Sequence, residues 1–168
     1  NTIIVFWSDH GQHIGEKRHW RKQALWEEST RVPLSIHVPG TGNAGRSCDR
    51  AVSLLDLYPT LVELCGLPKN PKIDGRSIAP LVRNPQAAWP YPALITHSPH
   101  WHGPNHAVRS ERFHYIHYNK GGEELYDMAK DPHQWHNLAD APEHANTKAK
   151  LKQWLPKKNA PHFRASKP

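Results

Sequence analysis

The chain has 168 residues, enough for a real core, and a formal net charge of +7 with fourteen His in reserve. That balance suits an anionic partner, yet the charge is spread thinly and part of it sits in a tail carrying Lys157, Lys158, Arg164 and Lys167. No recognition helix, aromatic RNA-binding motif or zinc-finger spacing accompanies it, which argues against nucleic acid, and no run approaches the roughly 18 apolar residues of a membrane span.

Five apolar residues, Ile3 to Trp7, run unbroken into Ser8-Asp9-His10-Gly11. A strand apolar on both faces is expected in the middle of a parallel sheet covered by helices. Ligands of such sheets gather outside the carboxyl ends of the strands, where Asp9 and His10 stand and Gly11 lets the backbone turn. No initiator Met, signal peptide or strand partner precedes Ile3, so a piece of a longer protein is expected. Gln12 to Glu28 has no clean apolar face and reads as a long loop with a helical turn or two. A strand follows, with Leu34, Ile36 and Val38 alternating and Pro39-Gly40 ending it. Asp56 reads as the cap of a helix over Leu57 to Cys65, stopped by Gly66. Ser77 reads as the cap of a short helix through Val82. Cys48 and Cys65 lack C-x-x-C spacing and read as one disulfide or two buried thiols.

Three prolines between Asn84 and Pro92 mark a change of character. Short strands are expected at Ala93 to Thr96, Ala107 to Ser110, Phe113 to Tyr118 and Glu124 to Asp127, the last two joined through Asn119-Lys120-Gly121-Gly122. Asp140 and Glu143 are placed to cap a helix with His144, Lys148, Leu151 and Leu155 on one stripe. The division expected is 1–84 as the α/β part, 93–156 as a small α+β subdomain and 157–168 as a basic tail.

The order of phrases is more specific than any one of them. Ser8-Asp9-His10-Gly11 leads to Ile14-Gly15-Glu16, Lys22 and Glu27-Glu28-Ser29-Thr30-Arg31-Val32-Pro33-Leu34. Ser53-Leu54-Leu55-Asp56-Leu57-Tyr58-Pro59-Thr60-Leu61 and Ile73-Asp74-Gly75-Arg76-Ser77 come next, then Ala107-Val108-Arg109-Ser110-Glu111-Arg112-Phe113 and Glu124-Leu125-Tyr126-Asp127, with Asp131-Pro132 and Asn137-Leu138 behind. This resembles the C-terminal part of type I sulfatases in the alkaline-phosphatase superfamily, and the Asp-His pair is similar to that of the iduronate-2-sulfatase-like branch. The resemblance implies an α/β fold: the end of a mostly parallel sheet with helices, then a small antiparallel C-terminal sheet packed with a helix.

It also implies hydrolysis of sulfate esters, with sulfated sugars as the expected substrates. In that chemistry a formylglycine, made from Cys or Ser in C/S-x-P-x-R, is hydrated and attacks sulfur, and a divalent cation neutralises the developing charge. Asp9 and His10 match metal ligands of the family, and Lys22 matches the catalytic lysine that contacts the sulfate. Calcium is the expected ion, with manganese or zinc compatible with His10. His13 and Glu16 lie in the same motif and suit a structural role as well as a catalytic one. His97, His100, His102 and His106 surround Trp101, and the first three are candidate substrate contacts. No C/S-x-P-x-R occurs, since Cys48 is followed by Asp49-Arg50 and Cys65 by Gly66-Leu67-Pro68. The nucleophile is therefore expected upstream, and this chain alone is expected to be inactive. A phosphonate or phosphodiester hydrolase, or a non-catalytic module for anionic glycans, stays open. The resemblance implies a periplasmic, secreted or lysosomal location.

Overall fold

The structure, a computed structural model, describes residues 1–98 and 103–159. Strand β1 (Ile4–Trp7) pairs with β4 (Leu34–His37) in a two-stranded sheet. Between them run β2 (His13–Ile14), β3 (Trp20–Arg21) and the short helix α1 (Glu27–Thr30). The loop expected over Gln12 to Glu28 is thus a small hairpin with a 3-10 turn at Glu16–Arg18, followed by α1. Its bends use positive φ at Lys17 and Arg18, which hydropathy does not reveal.

The β1–β4 pairing is antiparallel, with Val5 opposite Ile36. The parallel neighbours expected for β1 do not occur among the described residues. Nor is β1 covered on both faces: Ile4, Phe6 and Trp7 are 58%, 64% and 51% exposed. Two strands cannot bury each other's faces, so an apolar run needs further layers before it becomes a core strand.

Helix α2 (Leu57–Leu64) follows a 3-10 turn at Leu54–Asp56. Asp56 is the N-cap residue of α2, as expected, but its side chain closes a capping box with Ser53 at the 3-10 turn instead of bonding to the first turn of α2. Its carboxylate accepts from the Ser53 N–H at 2.9 Å and the Arg76 N–H at 2.8 Å, tying two distant phrases together. Helix α3 (Ala79–Arg83) starts where the Ser77 hydroxyl accepts from the Ala79 N–H. Cys48 and Cys65 are free and exposed, neither bonded nor buried as expected.

The second half is the sheet foreseen from its turns. Strands β5 (Ala93–His97), β6 (Asn105–Arg109), β7 (Phe113–His117) and β8 (Glu123–Asp127) lie side by side, all antiparallel. Alternation sends Val108, Tyr115 and Leu125 to one face, where Leu151 of helix α4 (Ala145–Lys152) closes a core. The other face presents Ala107, Ile116 and Tyr126, and Leu25 packs there beside Trp26. Asp140 does not cap this helix; it begins as a 3-10 turn at Pro142–His144 with no side-chain cap. The expected stripe does its work: His144 meets Phe113 edge-on, and Lys148 reaches Glu123 at 2.9 Å.

Glu27 joins the halves. Its carboxylate is paired with Arg109 at 3.1 Å and lies 3.3 Å from His114 Nδ1. Burial pushes the acid up, but the His114 and Arg109 hydrogen bonds and the Arg109 charge outweigh it and hold Glu27 at about 2. An unfolded glutamate near 4.5 binds protons first, so this contribution is full above pH 4.5 and lost as pH falls toward 2. Removing one partner of such a buried pair costs about 3–5 kcal/mol. Glu27→Gln should therefore lower stability by that order and flatten its pH dependence between 4.5 and 2. Chemical denaturation across that range measures both, and an unchanged slope contradicts the assignment.

Candidate functional site

The site begins where β1 ends. Gly11 donates its N–H to the Ser29 carbonyl at 2.9 Å, bringing the strand end against α1. A Cβ at Gly11 would run into the Glu28 carbonyl oxygen, so the approach requires glycine. Gly11→Ala should cost about 1–3 kcal/mol, as overpacking does, and should displace His10; thermal denaturation reads the loss.

His10 has two defined partners. Nδ1 lies 2.8 Å from the Gly11 carbonyl oxygen, and Nε2 lies 2.7 Å from Lys22 Nζ. A carbonyl only accepts, so the proton sits on Nδ1 and the Nε2 lone pair receives the ammonium. Asp9 Oδ2 stands 3.6 Å from that nitrogen, with the Asp9 side chain 82% exposed. The three residues singled out in sequence are thus brought to one place.

This donor set fits a divalent cation as part of its coordination. Two ligands at about 2.3–2.6 Å from one ion, at roughly a right angle, stand about 3.3–3.7 Å apart, and the observed separation is 3.6 Å. A carbonyl that fixes the His tautomer is the usual support of a metal-ligating imidazole. No group of three or more His, Cys, Asp or Glu among the described residues stands together as a metal site.

The other singled-out residues have the following surroundings. The Glu16 carboxylate accepts from the Ile14 N–H at 2.8 Å, which holds its acid below the usual range. His13 is wholly buried, edge-on to His19 and Trp26, and neither ring nitrogen has a partner among the described residues. His97 lines a cavity of about 210 Å³ with Gln23, Ala24 and Trp26, beside the turn that carries Lys22. His106 leaves that face; it binds Thr96 Oγ1 at 3.0 Å and Asn159 Oδ1 at 2.8 Å. His100 and His102 lie outside the described residues.

Sequence reasoning missed Lys17, which turns inward to donate to the Gln134 carbonyl at 2.5 Å and the Tyr126 hydroxyl at 3.2 Å. It also missed Glu124, which accepts from three aromatic side chains. The only signal for Glu27 was its place in the Glu-Glu-Ser-Thr-Arg-Val-Pro phrase.

A four-stranded antiparallel sheet backed by a helix, following a short strand pair, is an arrangement shared with sulfatases of known structure. The chain belongs to the N-sulphoglucosamine sulphohydrolase C-terminal family, whose model matches residues 15–160. It is 39% identical over 160 residues to a sulfatase of Formosa agariphila, covering 95% of this chain and 31% of that protein. It is 34% identical over 166 residues to a Delta 4,5-hexuronate-2-O-sulfatase of Bacteroides thetaiotaomicron, covering 92% and 34%. A protein solved with its substrate D-glucosamine-2-N,6-O-disulfate superposes at TM-score 0.75 with 28% identity, covering 90% of this chain and 32% of that one. The phosphonate monoester hydrolase of Agrobacterium radiobacter superposes at 0.75 with 29% identity, covering 90% and 33%. The chain spans about a third of the length of these relatives.

Lys22 is exposed and makes no contact on which the core depends. Lys22→Ala should change stability by less than about 0.5 kcal/mol, which denaturant titration can check.

Proposed function

We propose that the protein carrying this chain hydrolyses sulfate esters of sulfated glycans. The observation that carries the reading is the Lys22–His10 contact of 2.7 Å at the end of β1, beside Asp9. Relatives that act on a hexuronate 2-O-sulfate and on a disulfated glucosamine support the substrate class. On this reading Asp9 and His10 hold a divalent cation, with calcium the expected ion. The iduronate-2-sulfatase-like character rests on the same Asp-His pair. A formylglycine, expected upstream, would supply the attacking oxygen, since neither Cys48 nor Cys65 has the required motif.

This chain's own residues then have defined tasks. His10 presents Nε2 in a fixed tautomer, because Gly11 occupies Nδ1. Asp9 supplies negative charge at an exposed position. Lys22 offers a movable ammonium to sulfate oxygens, a point charge on a flexible stem. The family's location in periplasm, lysosome or secretion is proposed with the function. No helix among the described residues is long and apolar enough to cross a membrane.

A phosphonate monoester hydrolase is the second reading, favoured by the Agrobacterium structure. The test is turnover by the full-length protein of 4-nitrophenyl sulfate, sulfated disaccharides and phenyl phosphonates, before and after chelation. Faster sulfate turnover that Lys22→Ala reduces by about a hundredfold or more, the scale of one lost electrostatic contact to the transition state, supports the proposal. Preference for the phosphonate selects the second reading, and no hydrolysis of either rejects both.

A further inference from the structure

Glu124 holds an unusual place on β8. Its Oε2 accepts from Trp26 Nε1–H at 2.7 Å and from the Tyr126 hydroxyl at 2.7 Å, while Oε1 accepts from the Tyr118 hydroxyl at 3.0 Å. Three aromatic donors from three segments thus converge on one carboxylate. Such charge-assisted bonds are shorter and stronger than neutral ones. Burial and the Glu124 charge push the Tyr118 and Tyr126 hydroxyls up, so both remain donors at any physiological pH. Lys17 completes the brace, with Nζ 4.8 Å from the Trp26 ring centre and 4.9 Å from that of Tyr126.

Two of the three tethered rings, Trp26 and Tyr118, line the 210 Å³ cavity beside the Lys22 turn. The Ala24 N–H donates to the Lys22 carbonyl at 2.8 Å, so this turn is tight and its next two residues, Gln23 and Ala24, face the cavity. Asn105, His97 and His19 supply further polar groups, and His19 Nε2 has no partner among the described residues. No carboxylate lines the space among the described residues. Aromatic walls with a few convergent amides and imidazoles suit a sugar ring, apolar on its faces and hydroxylated at its rim. The hollow is half open to solvent, and its volume of about 210 Å³ lies below the about 300–1,000 Å³ of drug-sized pockets.

Resting on the sulfatase reading above, we propose that Glu124 is a positioning residue that fixes Trp26 and Tyr118 as the walls of a sugar subsite beside Lys22. Its effect falls on glycan binding rather than on the sulfate-transfer step. A small aryl sulfate does not fill the subsite and reports the chemistry alone.

The experiment compares wild type with Glu124→Gln and Tyr118→Phe in the full-length protein, on a sulfated disaccharide and on 4-nitrophenyl sulfate. In parallel, calorimetry measures binding of the same disaccharide without its sulfate. The ratio of kcat/KM for disaccharide to kcat/KM for aryl sulfate should fall about tenfold in both variants, the size of one lost charge-assisted hydrogen bond. The loss should appear in KM, with matching loss in calorimetric affinity. Equal effects on the two substrates, or an unchanged ratio, overturn the subsite. Tyr118→Phe keeps the ring and the fold if Glu124→Gln does not. If the wild type hydrolyses no sulfate ester, the enzymatic reading fails and calorimetry decides the subsite. Disaccharide binding weakened by Tyr118→Phe sustains it, and absence of binding to wild type rejects it.

Discussion

The structure depends on one buried carboxylate. Glu27 sits on a four-residue helix that could not persist alone. Its acid is held by Arg109 and His114 of the antiparallel sheet, and its backbone N–H by the Gln134 side chain at 2.6 Å. The Gln134 Nε2 amide packs 3.0 Å from His114 Nδ1, whose N–H faces Glu27, so the side chains around α1 stand in contact. Since α1 also receives Gly11 through Ser29, the order of the sheet passes to the end of β1. Asp9 and His10 are therefore placed by residues about a hundred positions later in the chain. The antiparallel sheet acts as the frame against which the strand end is set.

Much of that frame was legible in the sequence. Turn residues and period-two alternation gave four strands within a residue or two of their observed ends, because each pairs with its chain neighbour and local signals fix the register. The Asp9-His10-Lys22 grouping came from the resemblance; no periodicity joins residues twelve apart across two bends at positive φ. What stayed hidden has a common cause. Lys17, Glu27 and Glu124 are charged residues turned inward, and a single sequence marks them as solvated. Their partners, Gln134, His114 and Trp26, lie far away in the chain. The exposure of Ile4, Phe6 and Trp7 was hidden for the opposite reason, since apolar runs report a tendency to be covered and not what covers them.

The His10 environment divides labour between a fixed group and a movable one. His10 Nε2 has one lone pair, and Lys22 holds it at 2.7 Å. On the proposed reading Lys22 yields that lone pair when Asp9 and His10 hold a divalent cation, since a nitrogen lone pair serves one partner at a time. His10 need not move, because the Gly11 carbonyl holds its Nδ1–H and the Ser29 carbonyl holds the Gly11 N–H. Lys22 can move at little cost: its side chain is exposed and its stem flexible. On the same reading the released ammonium is free to meet the negative oxygens of a bound sulfate ester. The imidazole is fixed and the lysine movable, and the difference between them follows from how each is anchored in the fold.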